Sequence, residues 1–288
     1  MKNLLFNSFL MFSAIIMGFN AQAQFSGDTF AKAKQSKTAN LTYVYSEAPG
    51  FAANIGGEVT GVCVDIMSDF EFFLLDKYGI TVNSKMEKKH ANNFTDYLQA
   101  VKNSTNGVFG LSNTTITAKR KKEYNFSPPY ITNIAMLLSN ESVPTLNDIS
   151  NISDVFAGKT AITIKGTTNE KQIMKIKNKH FPSLKIEYVN YFDEGMVMIA
   201  RDPNYFISID FTYYLEAVQS NKPIKRHPAG DQTAEEFGIL MPKNSDWDKP
   251  FKEFLTENYR NSPSYRKIIA KHLGPNALRL LDSVAEEN

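Results

Sequence analysis

Eighteen residues near the middle of the chain, NTTITAKRKKEYNFSPPY (Asn113 to Tyr130), carry its most informative pattern. A short apolar run at residues 108–111 precedes them and is typical of a buried strand. Hydroxylic residues follow, then a basic run that contains Arg120, and then a Phe-Ser-Pro-Pro-Tyr segment in which a helix cannot continue. The pattern predicts a strand that ends in a polar loop, with one arginine placed just after that loop.

Strand and helix patterns alternate on both sides of this stretch. Strands are predicted at residues 41–45, 108–111, 134–138, 161–164, 184–191, 205–210 and 237–241. Apolar residues at helical spacing lie between them, and Asp65 and Thr167 are expected to cap two of the helices. This alternation predicts an α/β fold with mainly parallel sheets. The polar residues 24–39 are expected to form a loose leader.

The first 23 residues have the order of a secretory signal peptide. Lys2 supplies a positive charge, residues 4–19 are mostly apolar, and an Ala-x-Ala pattern ends at Ala23. A membrane anchor fits less well, because the apolar core is too short for a bilayer and is interrupted by Asn7 and Ser8. We expect export, cleavage after Ala23 and a soluble mature protein.

Composition argues against several classes of function. Removal of residues 1–23 takes away one lysine, which leaves 31 basic and 30 acidic side chains and a net charge of +1. This balance gives no electrostatic reason to expect a nucleic-acid partner. The four histidines lack metal-ligand spacing, and we expect neither a metal site nor a cofactor. Cys63, the one cysteine, cannot form an internal disulfide and is predicted to be a packing residue.

Three polar clusters fall where a predicted strand ends or a helix begins, at residues 113–120, residues 166–170 and Asp210. In α/β sheets, ligands collect at the carboxyl ends of strands, beside helix N-termini. Arg120 carries a planar, permanently charged fork that fits a carboxylate, and Thr115 adds a hydroxyl. The alternative for Arg120 is that it faces solvent within its basic run.

The other two clusters supply complementary chemistry. A helix that opens at Thr168 offers backbone N–H donors and the positive end of a dipole, which favour an anion. Asp210 has the opposite charge and suits an ammonium group. The alternative is that Thr167 and Asp210 only cap helices. Together, receptors for a carboxylate and for an ammonium group describe a site for a free α-amino acid.

The order and spacing of these motifs resemble those of the family-3 extracellular solute-binding proteins, the periplasmic receptors for polar amino acids that feed ABC importers. The resemblance extends from about Leu41 to Gly274. Its most specific piece is the family signature of Thr, two residues, Arg and then Phe-Ser-x-Pro-Tyr, which TITAKRKKEYNFSPPY resembles. Further segments that resemble the family are GVCVDIMSDFEFFL, ISDVFAGKTAITIKGTTNE and NSPSYRKIIAKHLG.

The resemblance implies a type 2 periplasmic-binding fold with two α/β lobes that close on a ligand. We expect lobe one at residues 24–135 plus 237–288 and lobe two at residues 136–236. Two segments would cross between the lobes, near residues 131–137 and 232–239.

The resemblance also implies roles for the polar residues. Arg120 would bind the α-carboxylate, assisted by Thr115 and by the backbone of Thr168. Asn113 falls where the family usually has a residue that bonds the ammonium group, and Asp210 would be the ammonium partner in lobe two. Three aromatic residues are candidates for an apolar wall against the ligand side chain, although core packing is the favoured interpretation: Tyr45, Phe51 and Tyr130.

One departure concerns the end of the first strand. The family often has an acidic residue there, near Tyr45 and Ser46, whereas the nearest acid here is Glu47. The resemblance implies a monomeric binding protein in the periplasm that captures an amino acid or small carboxylate for an ABC permease, rather than an enzyme. A small-molecule lyase or dehydratase on the same scaffold and a ligand-sensing module are the alternatives.

Overall fold

The computed structural model describes residues 24–232 and 234–286, so the predicted signal peptide lies outside the described residues. The strands are β1 (Thr38–Tyr45), β2 (Ala53–Ile55), β3 (Glu58–Thr60), β4 (Thr81–Glu87), β5 (Val108–Leu111), β6 (Tyr124–Phe126), β7 (Ile131–Asn133), β8 (Ala135–Asn140), β9 (Thr160–Thr163), β10 (Lys185–Tyr188), β11 (Tyr205–Asp210), β12 (Ile224–Arg226), β13 (Glu235–Phe237) and β14 (Leu240–Pro242). The helices are α1 (Phe30–Ser36), α2 (Val62–Tyr78), α3 (Phe94–Lys102), α4 (Ala118–Glu123), α5 (Ile152–Val155), α6 (Thr168–His180), α7 (Phe192–Arg201), α8 (Phe211–Gln219), α9 (Asp248–Phe254), α10 (Glu257–Arg260), α11 (Pro263–Leu273) and α12 (Pro275–Glu286).

Two five-stranded sheets organise the fold, which is α/β as predicted. The first sheet has the order β4-β1-β5-β14-β6 and the second the order β10-β9-β11-β8-β12. In the first sheet β1 pairs in parallel with β4 and β5, whereas β14 is antiparallel to β5 and β6. In the second sheet β9 is parallel to β10 and β11, whereas β8 is antiparallel to β11 and β12.

Both sheets are therefore mixed, which corrects the expectation of mainly parallel sheets. The antiparallel strands are the ones that follow the segments joining the two sheets. β8 comes directly after β7, and β14 comes directly after β13. Neither passes through a crossover helix, and a parallel connection would need one. β7 and β13 pair with each other, and Asn133 lies opposite Glu235 in their register.

The core of the first sheet is rich in aromatic residues. Helix α2 lies on this core, and the ring of Phe70 stacks on that of Phe251 with centroids 4.0 Å apart. Cys63 is fully buried, and its thiol contacts the hydroxyl oxygen of Tyr130 at 3.3 Å. Burial raises the pKa of the Cys63 thiol to about 12, so the thiol stays neutral. The predicted packing role of Cys63 is confirmed.

The start of α2 differs from the prediction that Asp65 caps it. The helix begins at Val62, with Gly61 as its N-cap at φ 142°. A Cβ atom on Gly61 would lie 2.3 Å from the carbonyl oxygen of Phe51, so only glycine allows this close approach. Asp65 lies in the first turn of the helix and accepts a hydrogen bond from Lys271 at 2.8 Å.

Residues 24–39 form ordered structure rather than a loose leader. They contain α1 and the first residues of β1. Phe30 is buried, with its ring centroid 5.3 Å from that of Trp247. The indole N–H of Trp247 donates to the carbonyl oxygen of Asp28 at 2.8 Å. These contacts join segments more than 200 residues apart, which a local reading of the polar sequence cannot detect. None of the helices in the described ranges is long and apolar enough to cross a membrane.

Candidate ligand-binding cleft

The three predicted polar clusters meet in one cleft. It encloses about 550 Å³ of space free of protein atoms, part of which is continuous with solvent. On the side of the first sheet it is lined by Ser46, Glu47, Ala91, Asn92, Phe94, Asn113, Thr115 and Arg120. On the side of the second sheet it is lined by Ile164, Thr167, Thr168, Asn169, Asn190, Tyr191, Phe192, Asp210 and Tyr213.

The positions of these residues follow from the two sheets. Asn113 and Thr115 come directly after β5, Thr168 opens the helix that follows β9, and Asp210 is the last residue of β11. Each cluster therefore lies at the carboxyl end of a strand, where the side chains leave the sheet and can converge on a ligand. All five ligand-binding residues predicted from the motifs, Arg120 included, line this cleft.

Arg120 is held at the cleft by contacts with both sides. Its Nη1 donates to the carbonyl oxygen of Thr115 at 2.9 Å, and its Nη2 to that of Gly166 at 3.4 Å. The guanidinium carbon lies 5.2 Å from the ring centroid of Phe94, a cation–π contact. Burial lowers the pKa of Arg120, but a guanidinium keeps its charge at neutral pH. The guanidinium is therefore an oriented positive charge with N–H donors to spare.

Asp210 is the buried negative charge of the cleft, with 3% of its surface exposed. Its Oδ1 accepts a hydrogen bond from the side-chain amide of Asn133 at 2.9 Å, and its Oδ2 accepts one from Asn113. Burial raises the pKa of Asp210 to about 7, and the nearby charge of Glu235 adds to this effect. Hydrogen bonds from the surrounding amides, including Asn169, act in the opposite direction. An ammonium group would compensate the buried carboxylate more fully than neutral amides do.

The start of α6 has the capping geometry that the sequence predicted. The hydroxyl of Thr167 accepts a hydrogen bond from the backbone N–H of Glu170 at 3.1 Å. The carboxylate of Glu170 accepts one in return at 2.7 Å, from the N–H of Gly166 rather than from that of the cap residue. Gly166 has a φ of +83°, which favours glycine in this turn. Thr168 is the first residue of the helix, where N–H groups have no partner within the helix.

Glu235 is a polar residue beside the cleft that the sequence motifs did not reveal. Its Oε2 accepts hydrogen bonds from the hydroxyls of Thr115 at 3.3 Å and Thr168 at 3.4 Å. The loop after β5 is held against β13 by a bond from the N–H of Ile116 to the carbonyl oxygen of Glu236 at 2.8 Å. Burial raises the pKa of Glu235. No local pattern marks this residue, because it contacts Thr115 and Thr168 from the distant strand β13.

The three aromatic candidates for an apolar wall are core residues, which was the favoured interpretation of the sequence. Tyr45, Phe51 and Tyr130 are at most 1% exposed and belong to the core rather than to the lining of the cleft. The aromatic residues that do line the cleft are Phe94, Tyr191, Phe192 and Tyr213.

The four aromatic residues that line the cleft all lie at helix starts, a position that the sequence could have indicated. Phe94 and Phe192 are the first residues of α3 and α7, and Tyr191 caps α7. Tyr213 lies in the first turn of α8. Helix starts that follow strands face the ligand edge of the sheets, whereas the three predicted residues lie in interior positions. Within residues 24–232 and 234–286, no group of three or more His, Cys, Asp or Glu side chains could hold a metal ion.

Comparison with known proteins places this arrangement in a family. The sequence profile of the bacterial extracellular solute-binding proteins, family 3, matches residues 42–275. The chain belongs to this family. One relative, named a probable histidine-binding protein from Neisseria gonorrhoeae, is 26% identical to this chain over 235 residues. That match covers 78% of this chain and 79% of the relative.

Solved structures agree in fold with this family-3 solute-binding protein. An ancestral arginine-binding protein bound to arginine gives a TM-score of 0.64 at 20% identity and covers 81% of this chain and 97% of its own. An ABC uptake transporter substrate-binding protein from Streptococcus pneumoniae with bound histidine gives 0.65 at 18% identity, with coverages of 86% and 96%. The fold expected from the sequence, the type 2 periplasmic-binding fold, is confirmed.

A family-3 solute-binding protein must surround a small solute with matched polar groups. The cleft offers a guanidinium at Arg120, a buried carboxylate at Asp210 and hydroxyls from Thr115 and Thr168. Charges of both signs in one cleft suit a zwitterion better than a neutral or singly charged solute.

Proposed function

We propose that this protein captures a free α-amino acid in the cleft, in the periplasm, and acts as a monomer that delivers it to an ABC-type permease. The single observation that carries the proposal is that Arg120 and Asp210 line the same cleft from opposite sides. The names of the relatives, which refer to histidine and arginine, support the same class of ligand.

The α-carboxylate binds at Arg120. A guanidinium presents two parallel N–H groups to a carboxylate, and the two carbonyl contacts of Arg120 fix its orientation before the ligand arrives. The first turn of α6 adds backbone donors at Thr168, and the hydroxyl of Thr115 lies beside them. Loss of one partner of a buried charge pair costs roughly 2–5 kcal/mol of binding.

The α-ammonium group binds at Asp210. Asn113 forms a hydrogen bond to Asp210 from the other side of the cleft. The ammonium group would bind beside this contact. Asn169 lines the same space, is 3% exposed, and its Oδ1 has no donor among the described residues. An ammonium group has three donors, enough for the carboxylate and for this free oxygen.

Capture works by closure of two lobes, which we place at residues 24–135 plus 237–288 and at residues 136–236. The crossing segments, near residues 131–137 and 232–239, contain the paired strands β7 and β13. A ligand that contacts Arg120 and Asp210 together favours the closed arrangement through its differential contacts.

Thermal-shift screening of L-amino acids and small carboxylates tests the proposal. A ligand that binds only the folded protein raises its Tm in a concentration-dependent way. We expect at least one free L-amino acid to do so, and its N-acetyl and carboxamide derivatives to lose the effect. The proposal fails if no free amino acid shifts the Tm, or if both derivatives are as effective as the parent.

A lyase or dehydratase on this scaffold is the second candidate, and one observation favours it. Such an enzyme needs an acid or a base at the cleft. Asp210 lines the cleft and Glu235 bonds two of its lining residues, and the pKa values of both are raised. Proton NMR of the protein with the amino acid that stabilises it separates the candidates. We expect the ligand to remain unchanged, whereas product formation that depends on Glu235 would establish an enzyme.

A further inference from the structure

We propose that Glu235 is a positioning residue of the carboxylate site, which directs the hydroxyl hydrogens of Thr115 and Thr168 and takes up a proton when the ligand carboxylate binds. This inference rests on the proposed function and adds to it one residue and one proton. The proton comes from the solvent, and a new O–H bond forms at the Glu235 carboxylate.

Three oxygen atoms form a triangle at the edge of the cleft. The hydroxyl oxygens of Thr115 and Thr168 lie 3.3 Å apart, and they lie 3.3 and 3.4 Å from Oε2 of Glu235. The two threonines line the cleft from different sheets, whereas Glu235 approaches from β13, one of the two paired strands that join the sheets. Glu235 therefore contacts, from outside the cleft, two residues that we assign to the ligand carboxylate.

The number of hydrogen atoms in this triangle decides what it offers to a ligand. Each hydroxyl has one hydrogen atom to donate, whereas an ionised carboxylate has none and only accepts. When Glu235 is ionised, the hydroxyls of Thr115 and Thr168 both donate to its Oε2 and present only lone pairs to the cleft. Lone pairs repel the carboxylate of an amino acid. The two hydroxyls can therefore assist Arg120 only when Glu235 releases their hydrogens.

Protonation of Glu235 reverses this pattern. A protonated carboxyl group has one O–H to donate, so it can donate to one threonine while both threonine hydroxyls donate to the ligand carboxylate. The ligand also brings a second negative charge close to Glu235 and occupies the donors of Arg120. A like charge nearby favours the neutral form of a carboxyl group. Carboxylate binding and proton uptake by Glu235 are therefore coupled.

The surroundings of Glu235 contain charges of both signs. Burial raises its pKa, whereas the bonds from the two threonine hydroxyls, the charge of Arg120 and the amide of Asn133 act against this shift. Asn133 lies opposite Glu235 in the β7–β13 pair and also donates to Asp210 at 2.9 Å. The charge of Glu235 acts in turn on Asp210 and on Lys171 and raises the pKa of both. A carboxyl group whose pKa is already raised needs a smaller further shift to bind a proton near neutral pH.

Solvent protons can reach Glu235 without passing through the cleft. Glu235 is half-buried, and it lines a second, solvent-open depression together with Thr117, Thr132 and the exposed residue Ala234. Thr115 lines both this depression and the cleft. A ligand that fills the cleft therefore leaves a route by which Glu235 exchanges a proton with solvent.

The affinity of Glu235→Gln at two pH values tests the inference. The probe is L-arginine, or the L-amino acid with the largest Tm shift in the screen if arginine gives none. The amide keeps the size of the side chain and, like a protonated carboxyl group, has hydrogen to donate. The variant should match the affinity of the wild-type protein at pH 5 and bind at least about tenfold more tightly at pH 8, because one pKa unit corresponds to a factor of ten. Protonation of Asp210 affects both proteins, so the ratio of their affinities reports on Glu235.

A control variant and a second readout accompany this test. Glu236→Gln is the matched control, since Glu236 is exposed and adjacent side chains of a strand point to opposite faces. It should bind as tightly as the wild-type protein at both pH values. Calorimetry of the wild-type protein at pH 8, in two buffers of different ionisation enthalpy, measures proton uptake without any variant. Because Asp210, with a pKa of about 7, is mostly ionised at this pH, we expect net uptake on binding.

Two results would overturn the inference. One is an affinity of Glu235→Gln that does not exceed that of the wild-type protein at pH 8, and the other is binding by the wild-type protein at pH 8 without proton uptake. In either case amino-acid binding itself survives. Failure of every L-amino acid to bind is a separate result, which would overturn the proposed function.

Discussion

The two opposite charges of the cleft are held in different ways. Arg120 keeps part of its surface open and bonds backbone carbonyls on both sides. Asp210 is enclosed by amide side chains, and its charge is therefore poorly compensated until a cation arrives. The sequence identified both residues because each belongs to a local motif. It did not identify Glu235, whose role depends on the folded proximity of β13 to Thr115 and Thr168.

Replacement of Asp210 tests its buried charge in the ligand-free protein. Its folded pKa of about 7 lies above the usual value of 3.8, so between these values the folded protein binds more protons than the unfolded chain. The contribution of Asp210 to stability is therefore fully present below pH 4 and is lost as the pH rises toward 7. The unfolding free energy of Asp210→Asn minus that of the wild-type protein should therefore rise by roughly 2.6 kcal/mol from pH 5 to pH 8.

Urea unfolding at the two pH values measures this change. The exposed residue Asp76 provides the control, because Asp76→Asn should show the same offset from wild type at both pH values. An offset for Asp210→Asn that does not change with pH would show that its carboxylate has an ordinary pKa in the folded protein.

At the scale of elements, the local sequence correctly predicted those strands and helix ends that depend mainly on their own residues. β5 and β11 have the predicted bounds, and α6 opens with the predicted cap at Thr167. The prediction failed for α1, whose burial depends on Trp247, and for the direction of β8 and β14, which is set by how the chain leaves the paired strands.

The cap of α6 couples stability to ligand binding. Thr167→Ala removes the hydroxyl that accepts from Glu170 and should cost about 1 kcal/mol of stability. It should also weaken amino-acid binding severalfold, because the donors at Thr168 lose their fixed position. Thr29→Ala removes a similar cap from α1, where the hydroxyl accepts from Lys32 at 3.1 Å. We expect this control to lose stability but to keep its affinity, and equal affinity losses in both variants would contradict the coupling.

At the scale of the whole molecule, the two sheets meet through polar contacts that cross the cleft. The hydroxyls of Thr115 and Thr168 lie 3.3 Å apart, and Asn113 bonds Asp210. A bound ligand can replace such polar contacts with its own, so it can shift the balance between open and closed forms. The sequence predicted this arrangement only through resemblance to a family, because no local pattern encodes how two distant sheets face each other.

Small-angle X-ray scattering tests closure directly. The radius of gyration should fall when the stabilising amino acid is added at a saturating concentration, because the lobes approach each other around it. The Arg120→Ala variant at the same concentration should show no such change. A radius that stays constant in the wild-type protein would contradict hinge closure.

Isothermal titration of two neighbouring variants tests the central claim, that Arg120 is the carboxylate receptor of the cleft. Arg120→Ala should lose roughly 2–5 kcal/mol of amino-acid binding, enough to abolish detectable heat for a ligand of ordinary affinity. Lys121→Ala removes an equal charge from the next, exposed residue and should bind as tightly as the wild-type protein. Equal affinities for the two variants would contradict the assignment of Arg120 and the amino-acid site built around it.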